Sequence, residues 1–193
     1  MNNKDVYPKT DFFNFLGEVD VERLITRVRE IPDSLWSTGN NQHQNKGAAL
    51  GSASHIIFRF IKDFNHVYDF DDKELWTDWS DDLSTLMHQA ARSLGYENYQ
   101  FPRIMLAKLP AGASIHPHVD NHASYYIHKI HIPLLTNTET IFHVAEQEMH
   151  MEVGKIIEVN NKKGHAVYNN GASDRIHLIF ECYNQDDYNK PGK

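Results

Sequence analysis

"RIHLIFECY", running from Arg175 to Tyr183, alternates in a way that decides how the chain folds. Successive side chains of a strand point to opposite faces, so Arg175, His177, Ile179 and Glu181 share one face and Ile176, Leu178, Phe180 and Cys182 share the other. The second face is wholly apolar and must pack on a core. The first is mixed, as in a strand that looks into a cavity. An arginine planted there costs on the order of several kcal/mol unless it meets an anion. Glu181 or Asp174 could supply that anion from within the chain. Otherwise the strand calls for an acidic ligand, because the planar guanidinium fork suits a carboxylate. "KIHIPLL", Lys129 to Leu135, repeats the pattern, with Lys129 and His131 on one face and Ile130, Ile132 and Leu134 on the other.

Outward from this strand, "RIMLAKL", "TIFHVAE", "GKIIEV" and "HAVYN" are further short β-rich runs punctuated by Gly, Asn and Pro. Such a series predicts an antiparallel sandwich or barrel. Upstream the chain is more helical. Val21, Leu24, Ile25 and Val28 predict a short helix over 20–30, closed by Pro32. Leu83, Leu86, Met87, Ala90, Ala91 and Leu94 form one apolar stripe, with Ser80, Asp81 and Asp82 at its start and Gly95 as its stop. Residues 37–54 are polar and Gly-rich and predict a long surface loop, followed by the strand "HIIFRFI". The expected fold class is mainly β with flanking helices, a jelly-roll core. It is a single domain over 1–193, in which residues 1–100 give a helical or mixed support and 101–185 the catalytic core.

Composition narrows the chemistry. With 193 residues, 40% of them hydrophobic, the chain can bury one sizeable core. A net charge of −7 and the lack of a Lys/Arg block argue against nucleic acid as a partner. The first twenty residues hold no uninterrupted apolar run, so no membrane span is expected and the expected location is cytoplasmic. The single cysteine, Cys182, excludes an internal disulfide and a cysteine-based zinc site, which leaves His and carboxylate for any metal.

The metal candidate is "SIHPHVDNHASYYIHKIHIPLL", Ser114 to Leu135, with five histidines. Alternation turns His118 and Asp120 the same way, and two imidazoles with one carboxylate are the donor set of non-haem Fe(II) oxygenases. The triplet is not decisive alone. From 13 histidines and 26 acidic residues about two His-x-acid triplets arise by chance, and two occur, the other ending at Glu152. His116 competes because alternation puts it on the same face, while His122 and His128 read as bystanders. What raises the triplet above chance lies downstream, in His165 and, ten residues later, Arg175.

Taken together and in order, "GASIHPHVD", "HIPLLTN", "MHMEVGKIIEVNN" and "GHAVYNNGASDRIHLIF" make the stretch from Arg103 to Tyr183 resemble the aspartyl/asparaginyl β-hydroxylase family of Fe(II)- and 2-oxoglutarate-dependent dioxygenases, including its bacterial proline-hydroxylase-like branch. The resemblance implies a double-stranded β-helix. It implies that His118, Asp120 and His165 hold Fe(II), that Arg175 binds the distal carboxylate of 2-oxoglutarate, and that His131 lies near this cosubstrate. Lys129 stands where some members carry the Arg of an Arg-x-His strand, implying a part in cosubstrate or substrate binding. The implied reaction uses O2 to hydroxylate a small-molecule or peptide substrate, an amino acid or an amino-acid side chain. Substrate is expected near Asn121–Tyr126 and under the 37–54 loop, with Trp36, Tyr125 and Tyr126 as lining candidates that could equally be packing. The main alternative is a cupin-like metal-binding barrel, suggested by His116-x-His118 and His165-x3-Asn169, for which neither Asp120 nor Arg175 is needed. A jelly-roll binding module without catalysis is the third.

Overall fold

In the computed structural model, which describes residues 9, 11–37, 48–64, 67–120 and 127–188, the strand read first lies at the centre. This strand, β12 (Arg175–Asn184), pairs antiparallel with β5 (Ile104–Leu109) on one side and β7 (His128–Leu135) on the other. Beyond β7 come β10 (Lys155–Val159) and β1 (Phe13–Glu18), and beyond β5 come β2 (Ser54–Ile61) and β3 (Phe70–Asp72). A short β4 (Tyr99–Gln100) adds to β12, completing an eight-stranded sheet. The smaller sheet has four strands, β6 (Ser114–His118), β11 (His165–Asn169), β8 (Thr140–Val144) and β9 (Gln147–Met149), in that order.

Each face of β12 does what its residues dictate. Ile176, Leu178, Phe180 and Cys182 are buried against Leu83, Leu86, Met87, Ala90 and Ala91 of α3 (Trp76–Ser93) and Leu24 and Val28 of α1 (Glu22–Arg29). A fully buried leucine contributes about 1.5–3 kcal/mol, so this layer dominates the energetics of the helical face. The opposite face meets the smaller sheet through a second cluster joining Leu109, Ile157 and Val159 to Ile115, Phe142, Val144 and Val167. Two antiparallel sheets with helices on one outer face make the expected jelly roll.

The N-terminal residues differ in detail from expectation. "FNFLGE" has no clean alternation, yet it forms β1 because β10 offers it an unpaired edge; a register shift at Phe15–Gly17, with Gly17 at φ 132°, accommodates the mismatch. Residues 1–100 therefore contribute four strands, β1 to β4, to the large sheet besides the helices. Helix α3 starts at Trp76, before the expected Ser80–Asp82, and ends at Ser93, with Leu94 as its C-cap and then Gly95, whose φ of 77° suits only glycine well. Asp82 does not cap this helix. Its Oδ2 accepts Arg27 Nη1 at 2.6 Å and its Oδ1 forms an ion pair with Arg23 Nε at 2.7 Å, tying α1 to α3. A further short helix, α2 (Asp33–Ser37), carries Trp36, which is buried in the helical core, the packing role of the two that the sequence allowed it. The expected 37–54 loop is described only from Ala48, where a 3-10 turn, Ala48–Leu50, leads into β2; residues 38–47 lie outside the described residues.

Candidate metal centre

His165 opens β11 directly across from His118, the last residue of β6. From this pair to the next, Val167 with Ile115, β11 advances two residues and β6 three. The extra residue is a bulge, and it reverses the alternation within "IHPH". Ile115 and His118 consequently both line the interior while His116 and Pro117 are exposed. His116 thus does not compete for the site, against what uninterrupted alternation predicts, and the His-x-His fragment is not a ligand pair.

His118, Asp120 and His165 come together, each offering a ligand atom within 4.8 Å of the others. Asp120 Oδ1 lies 4.0 Å from His118 Nε2 and 3.7 Å from His165 Nε2. The remaining polar atoms of the three side chains are committed elsewhere. His118 Nδ1 is 2.8 Å from the carbonyl of His116 and His165 Nδ1 is 3.0 Å from that of Lys163, so both rings donate Nδ1–H to backbone and keep the Nε2 lone pair for the centre. Asp120 Oδ2 accepts Lys129 Nζ at 2.6 Å and Asn161 Nδ2 at 2.9 Å, which leaves Oδ1 facing the imidazoles.

Protonation states agree with this arrangement. Burial disfavours the Asp120 carboxylate, but Lys129, His165 and the hydrogen bonds from Lys129 and Asn161 outweigh it and hold the carboxyl well below its usual range. Burial, with Lys129 adding to it, pushes the His165 imidazole down to about 4, so it is neutral at physiological pH. Two imidazoles and one carboxylate with three convergent lone pairs fit a divalent first-row metal such as Fe(II).

The triad opens into a cavity of about 110 Å³ between the sheets, lined also by Lys129, His131, His55, Arg175, Arg103 and Glu181. Arg175 is 1% exposed, and its side-chain contact is a 3.4 Å donation to the Ala107 carbonyl, with Nε unpartnered. Burial pulls its guanidinium down to about 10. Neither carboxylate foreseen as its partner reaches it. Glu181 receives Arg103 Nη1 at 2.7 and 2.9 Å, and Asp174 sits 3.7 Å from Lys108 and accepts the Ala111 amide. Among the described residues no carboxylate pairs with Arg175, so a buried cation faces the cavity without a counter-ion.

His131 also lines the cavity, with Nε2 buried and unpartnered; its Nδ1 is 3.4 Å from Nδ1 of His177 behind it. Burial drives both rings far below their ordinary pKa, and the Arg175 charge works in the same direction. Lys129 is placed on Asp120 and not free in the cavity. His128, read as a bystander, is part of a buried relay from Tyr96 Oη (2.7 Å) to Glu158 (2.8 Å). Asn169, the other cupin-like residue, holds Thr140 and the carbonyls of Leu109, Pro110 and Ser173, a structural clamp. Asn121, His122, Tyr125 and Tyr126 lie outside the described residues.

Sequence reading missed His55, Arg103 and Asn161. His55 is the second residue of β2, and burial with the nearby Arg175 charge pushes its imidazole down to about 4. Its signal was an imidazole leading into the apolar run Ile56–Phe58. Arg103 and Glu181 are both buried and sit beside Phe60 and Phe64, whose rings lie 5.2 and 5.9 Å from the guanidinium. Only the β5–β12 pairing shows that they meet.

A family profile described as aspartyl/asparaginyl β-hydroxylase matches residues 82–185. No curated protein sequence matches the chain. Among solved structures, a prolyl hydroxylase from Trichoplax adhaerens, in complex with a hypoxia inducible factor oxygen degradation domain peptide fragment, is similar with a TM-score of 0.60 at 12% identity, covering 95% of this chain and 89% of that one. A viral collagen prolyl hydroxylase from Paramecium Bursaria Chlorella virus-1, solved as its 2OG complex, is similar with a TM-score of 0.58 at 8% identity over 90% and 96% of the two chains. A Pseudomonas putida prolyl-4-hydroxylase gives 0.53 at 12% identity over 91% and 94%. At these identities the likeness is one of fold. Among the described residues no helix is long and apolar enough to cross a membrane.

Proposed function

The chain belongs to the aspartyl/asparaginyl β-hydroxylase family, and from that premise we propose that it is an Fe(II)- and 2-oxoglutarate-dependent dioxygenase that hydroxylates an amino acid or an amino-acid side chain in a peptide or protein. The observation that carries this reading is the conjunction, in one cavity, of the His118–Asp120–His165 cluster and the uncompensated Arg175. A metal-binding barrel without a dicarboxylate cosubstrate has no use for a fully buried guanidinium.

His118 and His165 would hold the metal through Nε2 and Asp120 through Oδ1. Arg175 pairs with the far carboxylate of 2-oxoglutarate, exchanging an unfavourable buried charge for a charge-assisted ion pair. His131, with an unpartnered Nε2, lines the same space and orients the cosubstrate. Lys129 acts through Asp120, neutralising it and fixing which oxygen faces the metal. When bound, iron and 2-oxoglutarate would supply the oxidising power, drawn from O2 with release of succinate and carbon dioxide, for converting C–H to C–OH. The chain supplies orientation, and its apolar walls of Leu50, Ile115, Phe142 and Val167 limit water in the cavity. The substrate would take the part of the cavity lined by Arg103, Glu181, Phe60 and Phe64, to which neither the metal ligands nor Arg175 contribute. A peptide is among the candidates, as in the Trichoplax neighbour. Residues 1–193 act as one domain, with 101–185 carrying the catalytic core and 1–100 its support.

Anaerobic addition of Fe(II) and 2-oxoglutarate tests the reading. A visible charge-transfer band of the chelate is expected in the wild type and is lost in His118→Ala. Its absence from the wild type at saturating components refutes the assignment.

A further inference from the structure

The metal-facing carboxylate is connected to the beginning of the described chain. Asn160 and Asn161 follow β10 and serve in opposite directions. The Asn160 side chain donates to the carbonyls of Lys9 and Asp11, each at 3.2 Å, and its backbone amide donates to the Phe12 carbonyl at 3.0 Å. These three bonds hold Lys9, Asp11 and Phe12 against the turn. Lys9 in turn sends its side chain inward, where it is 4% exposed, and donates Nζ to Asn161 Oδ1 at 2.5 Å and to the Val159 carbonyl at 3.4 Å. Asn161, itself wholly buried, donates Nδ2 to Asp120 Oδ2 at 2.9 Å.

We propose that Lys9 and Asn161 are positioning residues for the metal centre, forming a relay in which the N-terminal segment sets the orientation of Asp120. This rests on the reading of His118, Asp120 and His165 as metal ligands. The reason lies in the two ends of the Asn161 amide. An ammonium can only donate and a carboxylate can only accept, so with Lys9 on one side and Asp120 on the other just one of the two amide orientations satisfies both. The Lys9 ammonium thus favours the orientation that presents Nδ2 to Asp120 and opposes the flipped amide, which would set Oδ1 against Asp120 Oδ2 and push the carboxylate off its line. Lys129, the other donor to Oδ2, holds the same oxygen but not the amide. Groups that hold a ligating carboxylate in this way alter metal affinity by about 10–100-fold when removed.

Titration of the metal-free protein with Co(II), followed by its d–d absorption, tests the relay, with the melting temperature of the metal-free protein measured alongside. Asn161→Ala is expected to weaken Co(II) binding by about 10–100-fold and Lys9→Met by about tenfold, both with an altered d–d band. Lys9→Met added to Asn161→Ala is expected to cause no further loss of Co(II) affinity, because the other partners of Lys9, Glu158 at 3.9 Å and the Val159 carbonyl, are not metal ligands. Lys9→Arg, which keeps a cationic donor, is expected to bind Co(II) nearly as well as the wild type, and it serves in place of Lys9→Met if that variant does not fold. The relay is refuted if Lys9→Met leaves affinity and spectrum unchanged, if its effect is the same with and without Asn161, or if Lys9→Arg is as impaired as Lys9→Met. A wild type that binds no Co(II) overturns the metal-site reading and the relay with it. Normal wild-type binding with unaffected variants overturns the relay alone.

Discussion

Replacing Arg175 by Met should make the metal-free protein more stable while destroying its grip on 2-oxoglutarate. The guanidinium is 1% exposed, has no carboxylate partner among the described residues and makes one long hydrogen bond, to Ala107. Burial pulls its pKa down to about 10, which corresponds to a penalty on the charged form of about 3 kcal/mol. Met fills the stem of the side chain, and the missing head borders a cavity that is already open, so little new void is enclosed. Allowing for the lost hydrogen bond, a net gain of about 2 kcal/mol remains, or about 4–8 °C in melting temperature for a domain of this size. Removing one partner of a buried charge pair costs about 2–5 kcal/mol in binding, so 2-oxoglutarate affinity should fall on the order of a hundredfold or more. Urea unfolding of the metal-free protein and anaerobic titration of the Fe(II) form with 2-oxoglutarate measure the two quantities. A variant that melts lower than the wild type and still binds 2-oxoglutarate normally would show that Arg175 has a structural partner and no cosubstrate role.

His55 should contribute acid lability. Folded, it titrates near 4, against 6.5 for an ordinary histidine, so between these values the unfolded chain binds the extra proton. Its share of the stability is intact above about pH 6.5 and falls by about 2 kcal/mol by pH 5; His55→Leu should flatten urea-derived stability against pH by that amount, and an unchanged slope rejects the buried neutral imidazole. Glu181→Gln removes the counter-ion of buried Arg103 and should destabilise by about 3 kcal/mol, read by chemical denaturation. Adding Arg103→Met should recover part of the loss, and strict additivity would speak against the pair. Leu178→Ala, in the helix-facing core, should lose about 3 kcal/mol yet retain Co(II) affinity, because it changes the face of β12 opposite the cavity; a parallel loss of metal binding contradicts that separation.

Much of the fold was legible because strand alternation and helical periodicity are local properties of a chain. The two faces of β12 could be assigned from nine letters, and the apolar stripe from Leu83 to Leu94 required a partner that β12 supplied. The start of α3 was misread because Ser80 and Asp82 resemble capping residues; Asp82 is instead drawn to two arginines on another helix. Strand β1 was invisible for a related reason, since its pairing depends on the free edge of β10 and not on its own pattern.

The site divides along the same line. Sequence alone determined the types of donor available, two or more histidines with a carboxylate and no usable cysteine cluster, and the inward face of Arg175, because composition and the two-residue strand period do not depend on distant contacts. Tertiary structure decided the rest. The β6 bulge selected His118 over His116, the register of β12 gave Glu181 to Arg103 and left Arg175 uncompensated, and the turn after β10 brought Asn161 and Lys9 to Asp120. Each of these outcomes depends on which residues of separate segments lie opposite one another. One extra residue in a strand reverses them, and only the assembled sheets determine where that residue falls.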